Sequence, residues 1–104
     1  MKLFKIGMNK GKKRIWIEGK NLSQFGIKPN ARFDRVSNPN NIQIIFNELG
    51  RSKVSGKNDK PIIDLSGNFI AEIFPDKTHY YFNYFGSGTK NNRSNNSYMI
   101  IQAC

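Results

Sequence analysis

Apolar and polar positions alternate along this chain in short bursts, none long enough for an extended helix. Arg14-Ile15-Trp16-Ile17-Glu18 is a β-branched and aromatic run closed by Gly19, which predicts a strand and its turn. Residues 31–36 predict a second strand, with Phe33 on one face and Arg32 and Asp34 on the other. Residues 42–46 read as its return partner across a loop, Ser37-Asn38-Pro39-Asn40-Asn41. Further on, residues 61–65, 78–85 and 98–102 read as strands. Residues 22–25 and 68–74 are spaced for one or two helical turns, with Asn21 placed to cap the first and Gly26 to close it. The fold class expected is therefore mainly β with short helices.

The pattern occurs twice. Lys5-Ile6 matches Lys53-Val54, Ile15-Trp16-Ile17 matches Ile63-Asp64-Leu65, and Gly19 matches Gly67 at one constant spacing. Leu22-Ser23-Gln24-Phe25 then matches Ile70-Ala71-Glu72-Ile73, and a small deletion sets Pro29-Asn30 opposite Pro75-Asp76. A chain of 104 residues can bury one modest core but not two. The reading is one domain, 1–104, made of two repeats (about 4–46 and 52–102) that share a core and are joined by a basic loop, 47–58.

A strand ending in Gly19, a short helix opened near Leu22, the turn Phe25-Gly26-Ile27-Lys28-Pro29-Asn30 and the charged aromatic strand Arg32-Phe33-Asp34-Arg35-Val36 together resemble one known unit. It is the swapped-hairpin unit of the AbrB and MazE DNA-binding proteins, most of all the SymE-like branch. Pro29-Asn30 stands where that family usually has a Gly-Asp turn. Members of the family supply one unit per chain and dimerise into an interleaved barrel. The resemblance implies that this chain, with two tandem units, forms an AbrB-like barrel as an intrachain pseudo-dimer, acts as a monomer and binds DNA through a basic face. Fold by itself does not license function, so the sites have to carry it.

Charge points the same way. Lys and Arg number 17 against 7 Asp and Glu, a formal net charge of +10, well beyond what folding requires. A polyanionic partner is expected, with duplex DNA favoured over RNA. The single cysteine, Cys104, permits no intrachain disulfide and suits a reducing compartment. Met1-Lys2-Leu3-Phe4-Lys5 lacks the apolar stretch of a signal peptide, and no segment reaches the length of a membrane span. A cytoplasmic protein without membrane contact is the expectation.

The binding residues expected are Lys10, Lys12, Lys13 and Arg14, leading into the first strand, and Arg51, Lys53, Lys57 and Lys60, leading into its repeat mate. A twofold relation between the halves would join the two groups into one basic strip, whose affinity would fall steeply with salt as counterions are released. Lys90 and Arg93, in the Gly- and Asn-rich segment 86–96, are further candidates for phosphate contact. Stacking of single-stranded bases on Trp16, Tyr80, Tyr81 or Tyr84 is a further option. Alternation turns half of the 80–85 rings inward, and Trp16 is expected in the core.

Little supports catalysis. His79 is the sole histidine and has no nucleophile beside it in sequence. The carboxylates Glu18, Asp34, Asp64 and Glu72 are scattered and suit turns or ion pairs, and no ligand set for a metal or cofactor is present. The sequence reads as a non-enzymatic nucleic-acid-binding protein, a DNA-binding regulator of the AbrB/SymE type. The alternative is a phage or mobile-element counter-defence protein, anti-CRISPR-like, that binds a nucleoprotein or a nuclease. Naked duplex should suffice for the first and not for the second.

Overall fold

A computed structural model describes residues 2–86 and 97–104. The first repeat contains β1 (Phe4–Lys5), β2 (Gly7–Asn9), β3 (Lys12–Glu18), α1 (Lys20–Ser23), β4 (Arg32–Asn38) and β5 (Asn41–Phe46). The second contains β6 (Ser52–Lys53), β7 (Ser55–Lys57), β8 (Lys60–Ser66), α2 (Asn68–Ile73), β9 (His79–Phe85) and β10 (Tyr98–Ala103). The protein is mainly β with two short helices and a curled, half-barrel sheet. A six-stranded sheet runs β1-β9-β10-β5-β4-β6, and a four-stranded sheet runs β2-β3-β8-β7.

The strand pairing crosses between repeats with twofold regularity. β3 and β8 pair antiparallel with Trp16 opposite Asp64, the residues that the repeat had matched. β5 pairs with β10, with Gln43 opposite Ile100. The first repeat's β1 lies against β9, with Lys5 opposite His79, and the second repeat's β6 lies against β4, with Lys53 opposite Arg32. β1 thus extends the β9-β10 hairpin, and β6 extends the β4-β5 hairpin. Neither hairpin could satisfy its edge backbone groups in the same way alone.

Segments expected as loops prove more regular. Lys10 and Gly11 take φ of 53° and 81°, and Asn58 and Asp59 take 56° and 63°, so both are tight two-residue hairpin tips with two left-handed residues. The basic approach to β3 is therefore the β2-β3 hairpin, and the joining loop contains β6 and β7. Strands this brief carry too few apolar residues to be seen as periodic. The Ser37 to Asn41 loop shrinks to a turn at Pro39-Asn40, because β4 continues to Asn38 and β5 begins at Asn41. Asn21 is not a cap either: α1 follows Gly19 with no side-chain cap, and α2 follows Gly67 likewise.

The core lies between the sheets. Ile15, Ile17, Ile63 and Leu65 face Ile42, Ile44, Met99 and Ile101, and Leu22 and Ile70 add one fully buried side chain from each helix. Each such residue contributes about 1.5–3 kcal/mol of hydrophobic burial. Tyr80 of β9 is also buried, and its hydroxyl donates to the Trp16 carbonyl at 2.9 Å, tying the two sheets together. Burial pushes that hydroxyl up to about 12.

Trp16 itself is not in the core. It is 38% exposed, because the alternation that buries Ile15 and Ile17 turns residue 16 to the opposite face. Two glycines permit close backbone approach. A Cβ on Gly56 would fall 1.8 Å from the Lys60 carbonyl oxygen, and one on Gly50 would fall 2.6 Å from the backbone of Phe33.

Candidate nucleic-acid interface

Alternation from the buried isoleucines places Lys12, Arg14, Trp16 and Glu18 on the outer face of β3. On β8 the outer face carries Lys60, Ile62, Asp64 and Ser66. Arg14 Nε and Nη2 donate to the Asp64 carboxylate at 2.8 and 3.0 Å, and the guanidinium lies 4.2 Å from the centre of the Trp16 ring. The bond to Asp64 raises the guanidinium's already high pKa. Arg14 is thus committed within the protein, and Asp64 has the ion-pair role its isolation suggested. Lys13 donates through Nζ to the Lys77 carbonyl oxygen at 3.2 Å. It too is partly engaged.

Lys10, Lys12, Lys57 and Lys60 are all exposed. The antiparallel register puts Lys12 and Lys60 four residues to either side of the Trp16–Asp64 pair. They lie ~27 Å apart along the strands, and the hairpin tips ~35 Å apart, at about 3.4 Å per residue before twist. The longest dimension of the molecule, 42 Å, accommodates this. The two basic groups are therefore twofold-related but stand at opposite ends of the sheet. Trp16, Glu18 and the Arg14–Asp64 pair lie between them, so they do not form one continuous strip.

Arg51 and Lys53 fall elsewhere. Lys53 is on β6, beside Arg32 at the edge of the six-stranded sheet. Arg51 precedes it, its backbone N–H donating to Asp34 Oδ1 at 3.1 Å. Arg35, Arg51, Asp34 and Ser52 line an open polar hollow of about 520 Å³. The Arg35 guanidinium lies 3.8 Å from the centre of the Phe69 ring. Lys90 and Arg93 lie outside the described residues.

The rings considered for stacking divide. Tyr80 is buried, and Tyr84 packs on Phe25 with centroids 4.6 Å apart. Tyr81 is partly exposed on the outer face of the six-stranded sheet, where its hydroxyl donates to Gln102 Oε1 at 3.0 Å. No family model matches the chain, and neither a curated protein nor a solved structure is significantly similar to it. Functional reasoning therefore rests on the geometry of these faces. No helix among the described residues is long and apolar enough to cross a membrane.

Sequence reading missed the outer face of the six-stranded sheet as a unit. Phe85, Tyr98, Ile45 and Asp34 lie side by side across β9, β10, β5 and β4. The next row is Asn83, Ile100, Gln43 and Val36. None of these eight side chains is buried, and Asp34 alone is charged. The signal was present in the alternation of each strand. The strand order that joins the rows was not.

Proposed function

We propose that this protein is a non-enzymatic nucleic-acid-binding protein, a DNA-binding regulator that grips duplex through the two basic hairpins of its four-stranded sheet. On this reading the chain is an AbrB-like swapped-hairpin barrel built as an intrachain pseudo-dimer and works as a monomer. The exchange of β1 and β6 between repeats and the twofold register of β3 with β8 support that assignment.

One observation carries the functional reading. Lys10 and Lys12 at one end, and Lys57 and Lys60 at the other, are exposed cations on hairpin tips ~35 Å apart. One turn of duplex DNA spans about 34–36 Å, so twofold-related tips can meet phosphates one turn apart. The formal charge of +10 favours such contact, and the only ion pair among the described residues is Arg14–Asp64. Phosphate contacts by lysine position a protein without reading sequence, so tolerant binding is expected. Asp64 is paired with Arg14, and the carboxylates nearest the tips are Asp59, in the β7-β8 turn itself, and Glu18, diagonally beside Lys60, so the β2-β3 tip is the more purely cationic of the two.

The test is a salt series on a labelled random duplex with the wild type and a variant carrying Lys10→Ala, Lys12→Ala, Lys57→Ala and Lys60→Ala. If each lysine neutralises one phosphate, the slope of log K against log salt flattens by about 3 to 4 in the variant. An unchanged slope would remove the hairpins from the interface. No duplex binding at low salt would defeat the regulator reading and direct attention to a nucleoprotein partner.

A further inference from the structure

We infer that the outer face of the six-stranded sheet is a second nucleic-acid site, a platform on which the bases of a single strand stack. This goes beyond the duplex reading and uses none of its lysines. The face is nearly free of charge in a protein that carries +10, and it exposes rings and amides where cations would be expected. Phe85 is 42% exposed and stacks on Tyr98 with centroids 5.0 Å apart. Tyr98 is partly exposed, and Asn83, Ile100 and Gln43 make the next row of the same face. Aromatic surface of this kind accepts any base, because every base has a π face, and neighbouring amides can pair with base edges.

The borders of the face supply what its centre lacks. Lys5 and His79 stand together at one corner, and Lys53 stands at the corner diagonally opposite beside Arg32, whose guanidinium is partly engaged by the Gly50 carbonyl oxygen at 3.1 Å. These pairs occupy matching places in the two repeats, so the twofold that relates the strands also relates them. A strand crossing from corner to corner would have phosphates against cations at each end and bases over the charge-poor middle. A second copy of the chain fits less well. It would bring one +10 body against another, with an opposing repulsion that a nucleic-acid strand turns into attraction.

The experiment uses the whole chain, a fluorescein-labelled 12-mer oligothymidine and the random duplex, with two variants. Phe85→Leu/Tyr98→Leu keeps bulk and removes the rings. Asn83→Glu puts a negative charge on an exposed position of the outer face, away from the core. The ring variant should weaken oligothymidine binding by roughly 5- to 150-fold per stacked base lost, and Asn83→Glu should weaken it as well. Duplex binding and its salt slope should stay as in the wild type. Photocrosslinking of a bromodeoxyuridine-substituted strand should mark Phe85 or Tyr98. Oligothymidine affinity unchanged in both variants, or crosslinks at the β2-β3 and β7-β8 hairpins, would overturn the platform. So would a wild-type dimer in sedimentation that Asn83→Glu dissolves, since a second copy would then cover the face. Loss of duplex binding alone, with strand binding intact, would count against the hairpins and not against this face.

Discussion

Replacing Tyr80 by Phe tests the join between the two sheets. The ring would stay in place, since Phe4 stacks on it at 5.4 Å and the site is closed to solvent. What disappears is the hydroxyl that donates to the Trp16 carbonyl at 2.9 Å. A neutral hydrogen bond contributes about 0.5–1.5 kcal/mol net, and leaving its part-buried acceptor short of a partner adds to the loss, so about 1–2 kcal/mol is expected at pH 7. For a chain near 100 residues each kcal/mol is worth about 4–8 °C in Tm. The variant should therefore melt roughly 5–15 °C below the wild type. The pH dependence gives an independent check. The hydroxyl is raised to about 12 in the folded protein from an unfolded value of 10.0. Its contribution is thus complete below pH 10 and is lost as the pH climbs towards 12. Thermal unfolding of both proteins at pH 7, 10 and 11.5 measures the gap between them, so effects common to the two proteins cancel. The gap should narrow across this range. A constant gap would show that the hydroxyl is not held out of water as this reasoning requires.

Two other substitutions discriminate between local causes. Gly56→Ala drives a Cβ to 1.8 Å from the Lys60 carbonyl and should open the β7-β8 hairpin, whereas Gly11→Ala, at φ 81° with open space around it, should cost only about 1 kcal/mol. Comparison of their melting temperatures checks this, and equal losses would mean that backbone conformation and not the close approach governs the hairpin. Trp16→Ala should lower stability by under about 1 kcal/mol, as for a surface position, and the native tryptophan emission should be red-shifted by solvent. A blue-shifted emission with a loss of about 3 kcal/mol or more would restore Trp16 to the core.

The frame was legible because duplication writes each core position twice. Ile15 and Ile17 predict Ile63 and Leu65, and Leu22 predicts Ile70, so a single register explains all six. The brief strands β1, β2, β6 and β7 were not legible, since two or three residues give no period and their place is set by partners far along the chain. Trp16 was misread because ring size was weighed above alternation, although Ile15 and Ile17 on either side already fixed its face. The basic residues were legible as a class. Their division between two sheet ends and a separate edge was not, because it follows from β3 and β8 running antiparallel.

Matched positions differ sharply outside the core. Trp16 pairs across the twofold with Asp64, two residues that could hardly be less alike, while their inward neighbours are all aliphatic. On the other sheet the register sets Val36 in the place of Asn83, and Phe85, Tyr98 and Tyr81 all gather on β9 and β10. A shared core constrains both repeats equally, because a change in either disturbs packing against the other. Outer faces carry no such constraint and are free to acquire different chemistry on each side. The concentration of rings on one half of one face is therefore not imposed by the symmetric core, and the proposed strand, held at the Lys5 and Lys53 corners, would give those rings a role.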